Sequence, residues 1–527
     1  MITKPVSNMT RGGYQKMGNA LCGLIISTAL AALPVAAHAV IWGLNCTPNA
    51  PQCSSTAQTV TGAQWLHAGI YRVRVGVPHP IADGCYPSIS AAIAAGAHVT
   101  VVSGNVDPIV DGVDVPIQST TGFAVGDPVT MDALPAYPSC ATITGKAGST
   151  ITVSTAVSQY INSSTNNGVL GAGNLYPAMA AAGIPIELNI FNSGNGKASE
   201  APEIGCTSST SCPSGSQWYR DAVTYMLDTQ IAAAGLTAPV LISVGNEQNG
   251  GSSSSCNGVS GVPQSSCPVS LAWTGNTAYD AGPTPWWYFP LLHDTITVAN
   301  AHGIATAGSG ITTMGIEVSY WYTLETGCTV GVCGNCTTLL SCQIEADKYQ
   351  QTSFVKSLGQ AKLSTNLSTV CNPVTPLLSP NQTNIYSRTL GILQDEATAG
   401  VTYTNFHNYA LDWTSEGPAL LWAASVSGKQ PMIGEWAPYS LSAYDMVREA
   451  QTCVMINAAY CEEWNQESVG NYPAARALLN VDGTLRPSAL WYLAYIGVTG
   501  PAYIGGPTIP PIPNLMTGPP PAQPFHC

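Results

Sequence analysis

Ala238-Pro-Val-Leu-Ile-Ser-Val-Gly-Asn-Glu247 and Gln430-Pro-Met-Ile-Gly-Glu435-Trp436 decide the fold. Each is a short apolar run with a carboxylate at its C-terminal end. Such runs read as strands buried on both faces, the pattern of a parallel sheet. The stretches 40–44, 69–75, 184–191, 304–308, 401–409 and 460–464 read the same way. Helix-like stretches separate them, at 175–182, 218–234, 288–299, 419–426, 444–459 and 487–496. Alternation of this kind predicts parallel α/β architecture. About eight strand–helix units across 40–497 make a single (β/α)8 TIM barrel the expected fold. In that fold the C-terminal ends of the strands carry the chemistry, which is where Glu247 and Glu435 fall.

Three segments break the rhythm. Residues 98–158 are rich in Val, Thr, Gly and Asp, with period-two patches, and predict a small inserted β-subdomain. Within it, 141–154 reads as a hairpin turning at Lys146-Ala-Gly-Ser149. Residues 249–285 and 315–400 read as long loops near the active face, the first tethered by cysteines. Residues 498–527 form a Pro-rich tail.

The N-terminus reads as a signal peptide over residues 1–39. Lys4, Arg11 and Lys16 precede an apolar run, and Ala37-His38-Ala39 matches a cleavage pattern. An uncleaved anchor is the alternative, which Pro34 disfavours. Export agrees with the 17 cysteines, of which only Cys22 lies in the leader. Local pairs are expected at Cys46–Cys53, Cys206–Cys212 and Cys256–Cys267. Cys328, Cys333, Cys336 and Cys342 read as disulfides in an oxidising compartment, or as a zinc site from their spacing.

The formal charge of −13 and the 9% charged residues exclude a basic partner-binding surface. Nucleic acid and anionic membranes are therefore not expected partners. With few ion pairs to lose, the chain is expected to tolerate acid.

At the strand ends the chain resembles the clan A glycoside hydrolases, whose cellulase- and mannanase-like members carry similar motifs. Ser243-Val-Gly-Asn246-Glu247 is similar to their strand-four motif, and Ile433-Gly-Glu435-Trp436 to their strand-seven motif. His407-Asn-Tyr409 resembles a strand-six His-x-Tyr. The resemblance implies Glu247 as acid/base, Glu435 as nucleophile and Asn246 on the sugar. It implies Arg74 as the support of the nucleophile, although Arg72 shares its strand face. Trp436 and Trp464 are expected as stacking surfaces. The sequence departs from the clan by placing Gln248-Asn249 after Glu247, where many members have Pro, so the family within the clan stays open.

The chemistry agrees with the motifs. A glycosidic oxygen leaves only when protonated, and a second carboxylate attacks the anomeric carbon from the opposite face. The expectation is a secreted retaining hydrolase of β-linked polysaccharide or oligosaccharide, monomeric and without metal or organic cofactor. The alternative is a non-catalytic carbohydrate-binding or cell-surface structural protein on a barrel scaffold, in which both glutamates are ordinary strand-end acids.

Overall fold

A computed structural model describes residues 40–45, 55–103, 114–131, 139–155, 168–170, 175–190, 217–245, 288–312, 380–408, 413–437, 443–464, 477–480 and 482–510. The strands in chain order are β1 Ile41–Asn45, β2 Ile70–Val75, β3 Pro80–Asp83, β4 Val99–Val101, β5 Asp114–Pro116, β6 Pro128–Met131, β7 Ser139–Ala147 and β8 Thr150–Val153. They continue with β9 Ile186–Ile190, β10 Leu241–Val244, β11 Ala305–Ala307, β12 Ile311–Thr312, β13 Tyr403–Asn408, β14 Gln430–Trp436 and β15 Tyr460–Trp464.

One sheet runs β11-β10-β9-β2-β1-β15-β14-β13-β12, and β11 also pairs with β13, which closes it. Its ladders are parallel. β11 and β12 are two halves of one stave, interrupted at Gly308-Ser309-Gly310, so the barrel has eight staves. This is the expected (β/α)8 architecture. Most strand residues are buried on both faces, as a sheet wrapped by helices requires. The stretch 315–400, read as loop, contains a helix at Pro380–Ala399. Its first two turns hold Asn381, Thr383, Asn384 and Ser387, whose weak propensity hides the start of the helix from a sequence reading.

Side chains alternate across each stave. Ile70, Leu241, Ala307 and Met432 fill the lower interior of the barrel with Tyr403 and Tyr460 against them. Two residues further along each strand, the interior turns polar.

A second sheet runs β4-β3-β6-β7-β8-β5 and is antiparallel. The bridge Val102↔Ile117 joins its two edges. Ser103 N donates to Pro116 O and Gln118 N to Val101 O, each at 2.9 Å. The insert is thus a small closed β-barrel with its own core, including Ile81, Val115, Phe123 and Met131. Its hairpin turns between Ala147 and Thr150, as expected. The sheet also recruits β3, from Pro80, ahead of the 98–158 stretch that the alternation marks. The helix Ile89–Ala94 fastens the insert to the helix Gln217–Tyr225, where Ile89 N donates to Asp221 Oδ2 at 3.2 Å and Ser90 Oγ to Oδ1 at 3.0 Å.

Disulfides join Cys85 to Cys140 and Cys453 to Cys461. Neither pairing is evident from spacing. The expected local pairs, and the Cys328–Cys342 cluster, lie outside the described residues. Cys85–Cys140 closes a 55-residue span of the insert. Cys85→Ala/Cys140→Ala should cost about 2–4 kcal/mol by freeing that span in the unfolded chain. Calorimetry of the oxidised parent and the double variant checks this, and equal melting temperatures would contradict it. Among the described residues, no helix is long and apolar enough to cross a membrane.

Candidate active site

The site is built on a bulge. β14 pairs with β13 as Phe406↔Ile433 and then His407↔Glu435, skipping Gly434. On the other side Ile433 faces Cys461 and Trp436 faces Glu463, one residue out of step. Gly434 is the extra residue of a β-bulge. Strict alternation from Met432 would turn Trp436 inward and Glu435 outward. The bulge reverses both.

Several side chains pin it. Gly434 N donates to Asn405 Oδ1 at 2.9 Å, and Gly434 O accepts from Asn45 Nδ2 at 3.1 Å and from Arg72 Nη1 at 3.2 Å. A Cβ at residue 434 would stand 2.5 Å from Asn405 Oδ1, so the position needs glycine.

Glu435 points into the barrel mouth and is 3% exposed. Arg72 Nη1 donates to its Oε1 at 2.7 Å, and Arg74 Nη2 bonds the same oxygen. Two guanidiniums in a desolvated site favour the carboxylate over the acid. The choice between Arg72 and Arg74 that the shared strand face leaves open resolves to both.

His407 is fully buried, with Nε2 3.3 Å from Arg72 Nη1 and Nδ1 3.4 Å from Glu435 Oε2. A guanidinium only donates, so Nε2 accepts and Nδ1 carries the proton facing Glu435. Burial, then Arg72 and Arg74, hold the His407 pKa well below the ordinary imidazole value. The ring is therefore neutral. It supports the carboxylate from within the wall instead of lining open cleft.

β10 ends beside this cluster. Asn189 Nδ2 donates to Ser243 Oγ at 2.8 Å and to Gly245 O at 3.1 Å. Gly245 has φ +78°, a left-handed turn that suits glycine. The chain then proceeds to Asn246 and Glu247, which, like Tyr409, lie outside the described residues. Trp464 ends β15 on the same strand face as Glu462 and is 8% exposed.

Trp436 corrects an expectation. It is fully buried, and its ring lies 6.4 Å from Tyr492 in the helix Pro487–Tyr495. It packs in the helical layer and offers no open face to a sugar, because the bulge turned it outward. Sequence reasoning had no signal for the bulge beyond the glycine itself. It also missed Asn45, Asn189 and Asn405, polar residues embedded in otherwise apolar strands.

Glu463 shares that outer layer. Its carboxyl, the Tyr492 hydroxyl and Trp436 Nε1 have no hydrogen-bond partner among the described residues. Burial raises the Glu463 pKa well above the carboxylate range, so the folded protein keeps it protonated. A raised folded value stabilises below the unfolded pKa of about 4.3, and that stability is lost as pH rises toward the folded value. Glu463→Gln should therefore flatten the decline of melting temperature as pH rises above the unfolded value of about 4.3, at up to about 1.4 kcal/mol per pH unit. Parallel melting curves for parent and variant would refute this.

Among the described residues, no group of three His, Cys, Asp or Glu is arranged to hold a metal ion.

No protein-family model matches the chain. No curated protein matches it either. Its neighbours among solved structures are glycoside hydrolases. A glucosidase from Croceicoccus marinus shares 9% identity at TM-score 0.39, over 87% of this chain and 67% of that one. A monomeric β-xylosidase from Caulobacter crescentus CB15 shares 11% at TM-score 0.38, over 88% and 69%. Fungal β-1,4-galactanases share 13% at TM-score 0.29, over 60% and 80%. The likeness is distant, and the reading of the site rests on its geometry.

Proposed function

We propose that the chain is a retaining glycoside hydrolase acting on β-linked polysaccharide or oligosaccharide. One observation carries the reading. Glu435 sits nearly buried at the C-terminal end of a barrel strand, with Arg72, Arg74 and a neutral His407 converging on its two oxygens. A non-catalytic binding protein has no use for a charged carboxylate clamped in this way. A nucleophile needs it ionised and fixed in direction.

Glu435 attacks the anomeric carbon and forms a glycosyl ester. Glu247, three residues past Val244 of β10, gives its proton to the leaving oxygen. It then takes a proton from the water that hydrolyses the ester. This pairing predicts carboxyl groups about 5–5.5 Å apart. Asn246, Tyr409 and Trp464 are proposed to meet the sugar.

The test is hydrolysis by the chain from residue 40 onward of β-glucans, mannans, xylans, galactans and aryl glycosides. It is followed by trapping with a 2-deoxy-2-fluoro glycoside and peptide mapping. A label on Glu435 supports the mechanism. A label on another carboxylate, or turnover that survives both Glu247→Gln and Glu435→Gln, would overturn it. Binding to a glycan without turnover would favour the carbohydrate-binding reading. We also propose export with removal of residues 1–39, supported by the leader pattern and checked by N-terminal sequencing of the secreted protein for a start at Val40.

A further inference from the structure

Beneath Glu435 the barrel holds a second pair of carboxyl groups that the two-glutamate chemistry does not use. Glu187 on β9 and Glu462 on β15 are both fully buried. Arg72 joins them to the site, with Nε 3.3 Å from Glu187 Oε1 and Nη1 on Glu435. Ser243 Oγ donates to the same Glu187 oxygen and itself accepts from Asn189 Nδ2. Gly43 makes room for Glu462, since a Cβ there would stand 2.7 Å from Glu462 Cγ.

Among the described residues, no donor reaches either oxygen of Glu462. Two carboxyl groups buried in one low-dielectric interior do not both stay charged at low cost. Arg72 Nε and Ser243 Oγ both meet Glu187 at Oε1. Burial, then the charge of Glu187, push Glu462 well above the carboxylate range, with Arg72 opposing. Tyr403 and Tyr460 face the pair from below, their rings edge to face at 5.4 Å. Burial first, then Tyr403, pushes the Tyr460 phenol up to about 12.

We propose that Glu187 is a positioning residue that anchors Arg72 from below so that Arg72 holds Glu435 in the attacking direction. This rests on reading Glu435 as the nucleophile.

The experiment is a titration of the whole chain carrying ¹³C-labelled glutamate carboxyls, as the parent, Glu187→Gln and Glu462→Gln, with kinetics beside it. In the parent, one carboxyl that vanishes in Glu462→Gln should stay protonated through about pH 7. In Glu187→Gln that carboxyl ionises and draws Arg72 toward itself. Nη1 withdraws from Glu435, whose midpoint rises by about one unit. The kcat then falls about tenfold while KM stays within about twofold. If Arg72 held its place without Glu187, loss of an anion would lower the midpoint. That result overturns the proposal. In Glu462→Gln the Arg72–Glu187 ion pair is untouched, so the Glu435 midpoint stays. Movement there overturns the proposal even if Glu187→Gln fails to fold. No turnover of any glycan by the parent would refute the hydrolase reading alone, because the titrations still decide the positioning.

Discussion

Glu435→Gln is expected to lower kcat on the substrate by about 10³-fold or more, with KM within a few-fold of the parent. The amide keeps the shape of the carboxylate but cannot form the glycosyl ester. Arg72 and Arg74 keep an oxygen to bond, so the pocket stays shaped for sugar, and the loss falls on the chemical step. Chemical rescue makes the test specific to a nucleophile. In Glu435→Ala, azide enters from the vacated face and should yield a glycosyl azide of inverted configuration, whereas Glu247→Ala should yield the retained one. Activity in Glu435→Gln above about a tenth of the parent would end the assignment.

Gly310→Ala should be strongly damaging although it replaces only a hydrogen by a methyl group. Gly310 has φ +70°, and a Cβ there would lie 2.0 Å from His407 Nε2. The ring cannot retreat, since it is fully buried with Arg72 on one nitrogen and Glu435 on the other. Gly400 supplies the control, with φ +83° and nothing within 4 Å of its Cβ. Gly400→Ala should cost about 1 kcal/mol from backbone strain alone. Gly310→Ala should cost about 3 kcal/mol or more, because overpacking adds to the strain. Activity should fall with it, as a displaced His407 shifts Glu435. Denaturant unfolding of both variants measures the difference. Equal losses would mean that His407 yields, and that the β11–β12 break does not set its position.

The interruption at Gly308-Ser309-Gly310 shows the limit of reading pattern alone. It was legible only as a strand end at Gly308. Its use became visible once His407, about a hundred residues on, lay against it. The same holds for Arg72 and Arg74. Their spacing put them on one strand face, but only the fold brings both guanidiniums to one oxygen of Glu435. Glu462 and Glu463 are adjacent in sequence and were equally opaque there. Alternation on β15 sends one toward Arg72 and the other toward Tyr492, so their similar chemistry ends in different layers.

Apolar runs, their helical spacers and the acid at the end of two of the runs are local properties, and they were enough to determine the barrel and to mark Glu435 as a candidate. They follow from burial, which any parallel strand inside a helical shell must satisfy. The outward turn of Trp436, the inward turn of Glu435 and the pairing of Cys85 with Cys140 were decided by the tertiary structure alone. Each depends on one residue of register, or on which distant segments meet. A period-two pattern carries no record of an inserted residue, and a cysteine carries none of its partner.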